Sequence, residues 1–314
     1  MPNIESFTIP SAVDGLPLSV RVVTPDDGNP KALIQLAHGM AEHKERYVPF
    51  MEFLATRGYA SIINDHRGHG RSVRTADDLG YFYAGGADAL VKDLHQLSLW
   101  FRALYPGRKL ILFGHSMGSL AVRVYRQRYG DDIDGLVVCG SPGNNPAAGA
   151  ALLLNRAMTA VKGDRYVSGL FVNLTTGGYS KRFPDPNTPN AWLSTNPDNV
   201  RAYDADPLCG FPFTLNGYRA VLTLLRDAYR PVPAKRPDMP VHFLSGADDP
   251  CAPDEKGFND AVARLRADGY RTVTAKRYPG MRHELLNHTE KQMIYDDLAA
   301  LFDEWVGNDA DQTP

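Results

Sequence analysis

Residues 109–130 read KLILFGHSMGSLAVRVYRQRYG, and the pentapeptide GHSMG at positions 114–118 lies at the centre of this stretch. The apolar run Leu110–Phe113 predicts a buried strand, and the apolar spacing from Leu120 onward predicts a helix. A strand that turns directly into a helix leaves little room for side chains, and the two glycines provide that room. The stretch therefore predicts a nucleophile elbow with Ser116 at its apex. A tight turn that carries a surface serine is the alternative.

The elbow also predicts where negative charge would be stabilised. The amide of Met117, directly after the serine, would point at whatever the hydroxyl attacks, close to a helix N-terminus. A second amide is expected from the loop HGMAEH at 38–43, which follows an earlier strand pattern. Because Gly39 lets this loop pass close to a substrate, the sequence predicts an oxyanion hole formed by the amides of Met40 and Met117.

Strand and helix patterns alternate through most of the chain. Two stretches of alternating apolar and polar residues near the N-terminus predict a hairpin. Helical patterns separate most of the later strands, which predicts a mostly parallel sheet. In such a sheet the catalytic residues are expected at the carboxyl ends of the strands. The predicted strands are Ile4–Ile9, Pro17–Val23, Ala32–Ala37, Ala60–Asp65, Leu110–Phe113, Leu136–Cys139, Val241–Ser245 and Thr272–Tyr278. The predicted helices are Tyr47–Arg57, Ala87–Tyr105, Ser116–Tyr129, Lys256–Ala267 and Glu290–Val306.

The segment 141–240 interrupts this alternation. It has no convincing strand pattern, pieces rich in proline, glycine and asparagine, and short helical patterns such as Ala148–Val161. We therefore predict a catalytic core of residues 1–140 and 241–314 and a helical cap of residues 141–240, with a linker to a second domain as the alternative. An apolar stripe that includes Leu153 predicts either packing on the core or contact with an acyl chain or a lipid surface.

A serine nucleophile needs a general base, and the base needs an acid that orients it. In a sheet of this kind the expected order along the chain is serine, acid, histidine. The stretch GADDPCAP offers Asp248 and Asp249, which are equally capable by chemistry. The stretch PGMRHELLNH offers His283, in a loop able to reach back to the elbow, and His288, closer to the final helix. His283 is the predicted base.

Composition excludes several classes of function. The 314-residue chain has 43% hydrophobic residues and a formal net charge of −2, which gives no basic field for nucleic acid. No apolar run approaches the roughly 20 residues of a membrane span, and the N-terminal stretch lacks a signal-peptide pattern, so we expect a cytoplasmic protein. The three cysteines predict neither a disulfide framework nor a structural zinc site.

His66 and His69 have the H-x-x-H spacing of some metal sites. They lie in a glycine-rich loop without a third ligand at helical spacing, which favours a structural loop over a metal site. The predicted chemistry requires neither a metal ion nor a cofactor.

Several motifs in fixed order carry a family resemblance. They are LAHGMAEHKERYVPF, NDHRGHGRS, LFGHSMGS, ADPLCGF, LSGADDPCAPDEKG and YPGMRHELLNH, within a match from about Ile34 to Trp305. Together they resemble the α/β-hydrolase superfamily, specifically its monoacylglycerol lipase and lysophospholipase-like branch, of serine aminopeptidase S33 type. The resemblance implies an α/β-hydrolase fold, with a mostly parallel eight-stranded sheet flanked by helices and an inserted helical cap.

The resemblance also implies roles for individual residues. The family's acid falls on Asp249, its base falls on His283 in R-H-E, and its H-G-x-x-E-H-x-x-R-Y block supports Met40 as an oxyanion donor. The candidate substrate-binding residues are Glu42, Arg46, His115 and Leu153. An ordinary ion pair is the alternative for the first two, and packing alone is the alternative for His115.

The implied activity is hydrolysis of carboxylic esters of single-chain lipids, either a monoacylglycerol or a lysophospholipid, through an acyl-enzyme on Ser116. The expected partners are a small lipid ester and, transiently, a membrane surface touched by the cap. A peptidase or thioesterase on the same scaffold, and a binding protein of this fold without catalysis, are the alternatives. The head group and the acyl-chain length stay open.

Overall fold

The computed structural model describes residues 1–252 and 255–307, apart from the side chain of Thr176. Its strands are β1 (Asn3–Pro10), β2 (Pro17–Thr24), β3 (Ala32–Ala37), β4 (Tyr59–Asn64), β5 (Leu110–His115), β6 (Gly135–Cys139), β7 (Val241–Gly246) and β8 (Val273–Tyr278). They form one eight-stranded sheet in the order β1-β2-β4-β3-β5-β6-β7-β8. Only the pairs that involve β2 are antiparallel in this described part of the chain. The predicted mostly parallel, eight-stranded sheet is confirmed.

The helices that accompany the sheet are α1 (Val48–Thr56), α2 (Gly86–Leu104), α3 (Met117–Tyr129), α4 (Ala148–Lys162), α5 (Gly169–Val172), α6 (Gly178–Arg182), α7 (Pro197–Ala205), α8 (Leu215–Ala228), α9 (Glu255–Ala267) and α10 (Lys291–Gly307). The helices predicted outside the segment 141–240 begin and end within about one residue of α1, α2, α3, α9 and α10. The strong helical periodicity of these segments explains the agreement.

The sheet has a hydrophobic core on each of its faces. Along β5, Leu110 and Leu112 belong to one buried cluster, whereas Ile111 and Phe113 belong to the other. This alternation follows from the two-residue period of a strand. Helices α2 and α3 cover the first face, and α1 and α10 cover the second. A central strand buried on both faces reads as a continuous apolar run, as the sequence of β5 does.

The order of the strands reverses beside β3. The chain continues from β3 to β4 on one side and returns to β5 on the other side. Ligands bind to sheets of this type where the order reverses, just beyond the carboxyl ends of the strands. The loop after β3 and the turn after β5 therefore meet at the expected position of a site.

Residues 140–240, the β6–β7 connection, contain α4 to α8. Within this connection, Val167 and Thr214 form an isolated antiparallel β-bridge. Helix α8 packs against α2, α3 and α4 and thus attaches the connection to the core. In the described residues, no helix combines the length and the apolar character that crossing a bilayer requires.

The close packing of α3 against β3 generates the first prediction. A Cβ atom on Gly118 would lie 2.1 Å from the carbonyl oxygen of Ala37, whereas a Cβ atom on Gly149, at the same position of α4, meets nothing within 4 Å. Backbone cannot move aside as a flexible side chain can. We expect Gly118→Ala to lower the free energy of unfolding by about 3 kcal/mol or more, and Gly149→Ala to change it by less than about 1 kcal/mol.

Urea unfolding of the two variants measures this difference. Equal midpoints for Gly118→Ala and Gly149→Ala would show that the contact between α3 and β3 is less tight than described.

Candidate active site

Ser116 lies between the last residue of β5 and the first residue of α3. Its backbone has φ 52° and ψ −117°, a conformation that L-residues rarely adopt and that marks a strained turn. A Cβ atom on Gly114 would come 2.4 Å from the carbonyl oxygen of Gly118, so both flanking glycines are required by packing. Ser116 is partly exposed whereas both neighbouring residues are buried. The geometry is that of a nucleophile elbow.

His283 and Asp249 form a buried pair. Nδ1 of His283 lies 3.0 Å from each carboxylate oxygen of Asp249. The same carboxylate accepts hydrogen bonds from the Ser245 hydroxyl at 3.1 Å and from the Cys251 amide at 2.9 Å. The acid is therefore held from three directions, and it orients the imidazole, whose Nε2 faces the Cys251 thiol at 3.9 Å.

The alternatives for acid and base lie elsewhere. Asp248 is exposed, and its neighbour Asp249 is fully buried. His288 is buried, but its Nδ1 lies 2.5 Å from Glu290 and its Nε2 contacts the Thr195 hydroxyl. Both ring nitrogens of His288 are thus occupied away from the elbow.

Electrostatics favours charge on both members of the buried pair. Burial by itself would raise the pKa of Asp249, but His283 and the Cys251 amide outweigh burial and lower that pKa. Burial would likewise lower the pKa of His283, but the carboxylate of Asp249 outweighs it and holds that pKa above its usual value. The pair is suited to stabilise an imidazolium.

The predicted oxyanion amides flank Ser116. The Met117 amide is the first of α3, so the helix provides no acceptor for it. The loop after β3 approaches the serine closely, because a Cβ atom on Gly39 would lie 3.2 Å from Cβ of Ser116. Met40 follows directly in this loop and, like Met117, lines the same cavity as Ser116.

Glu42 holds the oxyanion loop (residues 38–43) in place. One oxygen of its carboxylate accepts from the Gly39 amide at 2.5 Å and from the Tyr47 hydroxyl at 2.8 Å. Its other oxygen accepts from the Arg46 guanidinium at 2.9 Å. A buried carboxylate with three donors is well satisfied, and the donor from Gly39 fixes the peptide that precedes Met40.

Arg46 connects this loop to the residue after the base. Its guanidinium donates to both carboxylate oxygens of Glu284, at 2.5 and 2.7 Å, and to Asn199 at 2.9 Å. Burial by itself would raise the pKa of both carboxyl groups. At Glu284 the charge of Arg46 outweighs burial, and the pKa falls to about 2. At Glu42 burial outweighs Arg46, and the pKa is raised. Glu284 was missed by sequence reasoning, although it stands in R-H-E directly after His283.

A cavity of about 1270 Å³, open mouth included, joins these residues. Its polar end contains Ser116, His283, Glu42 and His115, and its walls are mostly apolar side chains of the β6–β7 connection. Arg46 and Leu153 are not among the described residues that line it: Arg46 lies behind Glu42, and Leu153 is 66% exposed on the outside.

Further buried histidines pack near the site, besides His283. His115 lies with its ring centroid 4.6 Å from that of His283, and burial lowers its pKa to about 3. His66 and His69 pack around His38 and bond to backbone carbonyls, and burial lowers their pKa values to about 3 and about 4. Rings held neutral in this way pack as part of the loop structure.

A known protein family matches most of the chain. The family described as serine aminopeptidase S33 matches residues 28–290, which is most of the chain. The chain belongs to the serine aminopeptidase S33 family.

Relatives and solved structures of this kind cover nearly the whole chain. It is 28% identical over 297 residues to a monoacylglycerol lipase of Mycolicibacterium smegmatis, across 92% of this chain and 94% of that protein. It is 24% identical over 291 residues to the phospholipase YtpA of Bacillus subtilis, across 88% and 97%. It superposes on a thermostable carboxyl esterase from Bacillus coagulans in complex with glycerol with a TM-score of 0.88, at 24% identity, over 96% of this chain and 99% of that one.

These similarities confirm the predicted α/β-hydrolase fold and the resemblance to the monoacylglycerol lipase-like branch. This S33 family member is a carboxylic ester hydrolase. The catalytic roles of Ser116, Asp249 and His283 and the oxyanion roles of Met40 and Met117 stay predictions.

The Asp249→Asn variant tests whether Asp249, rather than Asp248, is the acid that orients His283. Removing the carboxylate should reduce ester turnover by about 10⁴-fold. Because Asp249 raises the pKa of His283, its loss should also move the acid limb of the kcat/KM profile to lower pH, where the imidazole would now be neutral. Turnover of a chromogenic ester between pH 4 and 9 measures both effects.

The matched control is Asp248→Asn, one residue away and exposed. We expect its turnover and acid limb to stay close to those of the wild type. Similar losses in the two variants would contradict the assignment of the acid.

Proposed function

We propose that this hydrolase cleaves single-chain lipid esters through an acyl-enzyme on Ser116. His283 accepts the Ser116 proton as the hydroxyl attacks the ester carbonyl, and the amides of Met40 and Met117 donate to the resulting oxyanion. His283 then protonates the leaving alcohol. Water that His283 activates attacks the acyl-enzyme and releases the fatty acid.

The shape of the cavity carries this proposal. Nucleophile and base lie at its polar end, and an apolar wall extends from them along the β6–β7 connection through Val172, Leu174, Val221, Leu222 and Leu225. An acyl chain fits such a wall, and an ester at the end of the chain would lie beside Ser116. The relatives named as monoacylglycerol lipase and phospholipase support a lipid ester as the substrate class.

The charge of the polar end favours a neutral head group. Glu42 and Glu284 both line the cavity, and no lysine or arginine lines it within the described residues. The guanidinium of Arg46 is engaged by these two carboxylates. An anionic phosphodiester would approach two carboxyl groups whose shared guanidinium is already engaged, whereas a glycerol could donate hydroxyl hydrogen bonds to them. We therefore propose a monoacylglycerol rather than a lysophospholipid.

Fatty-acid release from a monoacylglycerol and from a lysophosphatidylglycerol, which has a net negative head group, tests this choice when both have equal chain length. We expect kcat/KM to favour the monoacylglycerol by about tenfold or more, because like charges placed together cost several kcal/mol. Ser116→Ala should lose about 10⁴-fold or more in turnover of either substrate. Faster release from the lysophospholipid would contradict the charge argument, and wild-type turnover by Ser116→Ala would contradict the nucleophile.

The same assay separates the alternatives. Faster turnover of an aminoacyl amide or of a thioester of equal chain length would favour the peptidase or the thioesterase. Failure of a fluorophosphonate to label Ser116 in the native protein would favour a binding protein without catalysis.

We further propose that residues 141–240 act as a cap over a core of residues 1–140 and 241–314 and that this cap rests on lipid surfaces. Its outer side exposes a group of large apolar side chains, namely Leu153, Leu154, Val161, Leu170 and Leu174. Leu174, which is 60% exposed, also lines the cavity. Groups of exposed apolar side chains are typical of interfacial contact. The predicted cytoplasmic location stays a prediction.

Replacing Leu153 and Val161 together with glutamine tests the lipid contact. These side chains are 66% and 79% exposed, so we expect little change in stability. Turnover of a long-chain monoacylglycerol in vesicles should fall about tenfold, since apolar area would no longer enter the interface. Turnover of a short, monomeric ester should stay close to that of the wild type.

Leu99→Gln on α2 provides the control, because Leu99 is also exposed, at 49%, but lies outside the 141–240 segment. The lipid contact would be wrong if this variant lost vesicle activity to the same extent, or if the double variant lost activity equally on both substrates.

A further inference from the structure

We propose that His43, Asp206 and Cys209 form a binding site for a soft divalent cation such as Zn²⁺, outside the catalytic residues. One ligand atom from each of these three side chains lies within 4.8 Å of the other two. Spacing along the chain does not predict this site, because His43 is separated from Asp206 by 163 residues.

The three ligands come from two segments that are already in contact. His43 belongs to the oxyanion loop and follows Glu42 directly. Asp206 and Cys209 lie in the turn after α7, where the Leu208 amide donates to one carboxylate oxygen of Asp206 at 2.8 Å and the Cys209 amide donates to the Asp206 carbonyl at 2.9 Å. The turn thus presents a carboxylate and a thiol on the same side, facing the imidazole.

The donor set matches the chemistry of zinc. Imidazole nitrogen, carboxylate oxygen and thiolate sulfur are its ordinary ligands, and tetrahedral coordination places such donors about 3.4 to 3.8 Å apart. Reaching that geometry from separations of up to 4.8 Å requires movements of about 1 Å or less. The side chain of Asp206 is 31% exposed, so water can reach the fourth position.

Protons must be displaced for the ion to bind. At present Nε2 of His43 lies 2.8 Å from Asp206, and Nδ1 is buried without a hydrogen-bond partner in the described residues. The Asp206 carboxylate accepts from the Nε2–H of His43, so binding through Nε2 requires the ring proton to move to Nδ1, and the Cys209 thiol releases its proton to solvent. Thiolate and carboxylate then balance the charge of the ion. Because the Nδ1 proton has no partner, we expect micromolar rather than tighter affinity.

An ion at this position would lie where the oxyanion loop meets the β6–β7 connection. The carbonyl of Ala41 accepts from the Gly210 amide and from the Tyr203 hydroxyl, both at 2.9 Å, so the oxyanion loop already meets the β6–β7 connection here. Ala41, Tyr203 and Gly210 also line the catalytic cavity. An ion held by His43, Asp206 and Cys209 would cross-link the loop to the connection at the cavity wall.

A second group of the same donor types lies in the active site, formed by Asp249, Cys251 and His283. Its carboxylate and imidazole are paired with each other, and Nε2 of His283 faces the Cys251 thiol at 3.9 Å. An experiment must therefore identify which thiol meets the metal.

Titration of the chelator-treated, full-length protein with Co²⁺ makes that distinction, because thiolate ligation produces a charge-transfer band in the near ultraviolet. We expect one equivalent of Co²⁺ to produce the band, Zn²⁺ to abolish it, and Cys251→Ser to retain it. Cys209→Ser should lose the band. Asp206→Asn should weaken Co²⁺ binding about tenfold or more, whereas the matched control Asp204→Asn, in α7, should bind as the wild type does.

Circular dichroism of each variant verifies that it is folded, and the two cysteine variants, each a single-atom change, provide independent readouts. Absence of the band in the wild type would overturn the proposal. Loss of the band in Cys251→Ser with retention in Cys209→Ser would place the ion in the active site and overturn it as well. The readout uses no substrate, so it stands apart from the proposed lipid specificity.

Discussion

The close contact between the start of α3 and the end of β3 is the constraint on which the site depends. Gly118 brings the helix so near to Ala37 that no side chain fits between them. This proximity sets the first amide of the helix beside the loop that follows β3, and it forces Ser116 into a conformation with positive φ. The predicted convergence of two amides and a hydroxyl on one carbonyl group requires backbones that approach this closely. The strain at the serine is the cost of that approach.

The order of the strands places the remaining functional groups near the elbow, and ion pairs hold them there. Parallel strands β7 and β8 lie on the same side of β5, so the loops after them end at the same edge as the elbow. Arg46 joins two of these loops, since it bonds to Glu42 in the oxyanion loop and to Glu284 beside His283. A buried guanidinium between two carboxylates has rigid, bidentate geometry, and its removal would leave buried negative charge unpaired.

Local patterns in the sequence were sufficient for the strands, the long helices of the core and the elbow, because periodicity and glycine placement are local properties. Local sequence patterns could not decide between Asp248 and Asp249 as the acid. The choice depends on a turn that buries one carboxylate against Ser245 and His283 and exposes the other. Helix α8 was not identified either, although residues 215–228 have a clear apolar stripe, because the segment around it was interpreted as having only short helical patterns. The contact of His43 with Asp206 could not be predicted from spacing at all.

Adjacent residues of the oxyanion loop bond to different segments of the chain. Glu42 is tied to the core through Arg46 and Glu284, and His43 is tied to the β6–β7 connection through Asp206. Between Met40 and Glu42, Ala41 has φ 52°, a strained value for a residue with a side chain, while its carbonyl is bonded to the connection. A shift of the connection would therefore act on the peptides around Met40 directly. Because one loop receives both ties, the geometry of the predicted oxyanion hole depends on the position of the connection as well as on the sheet.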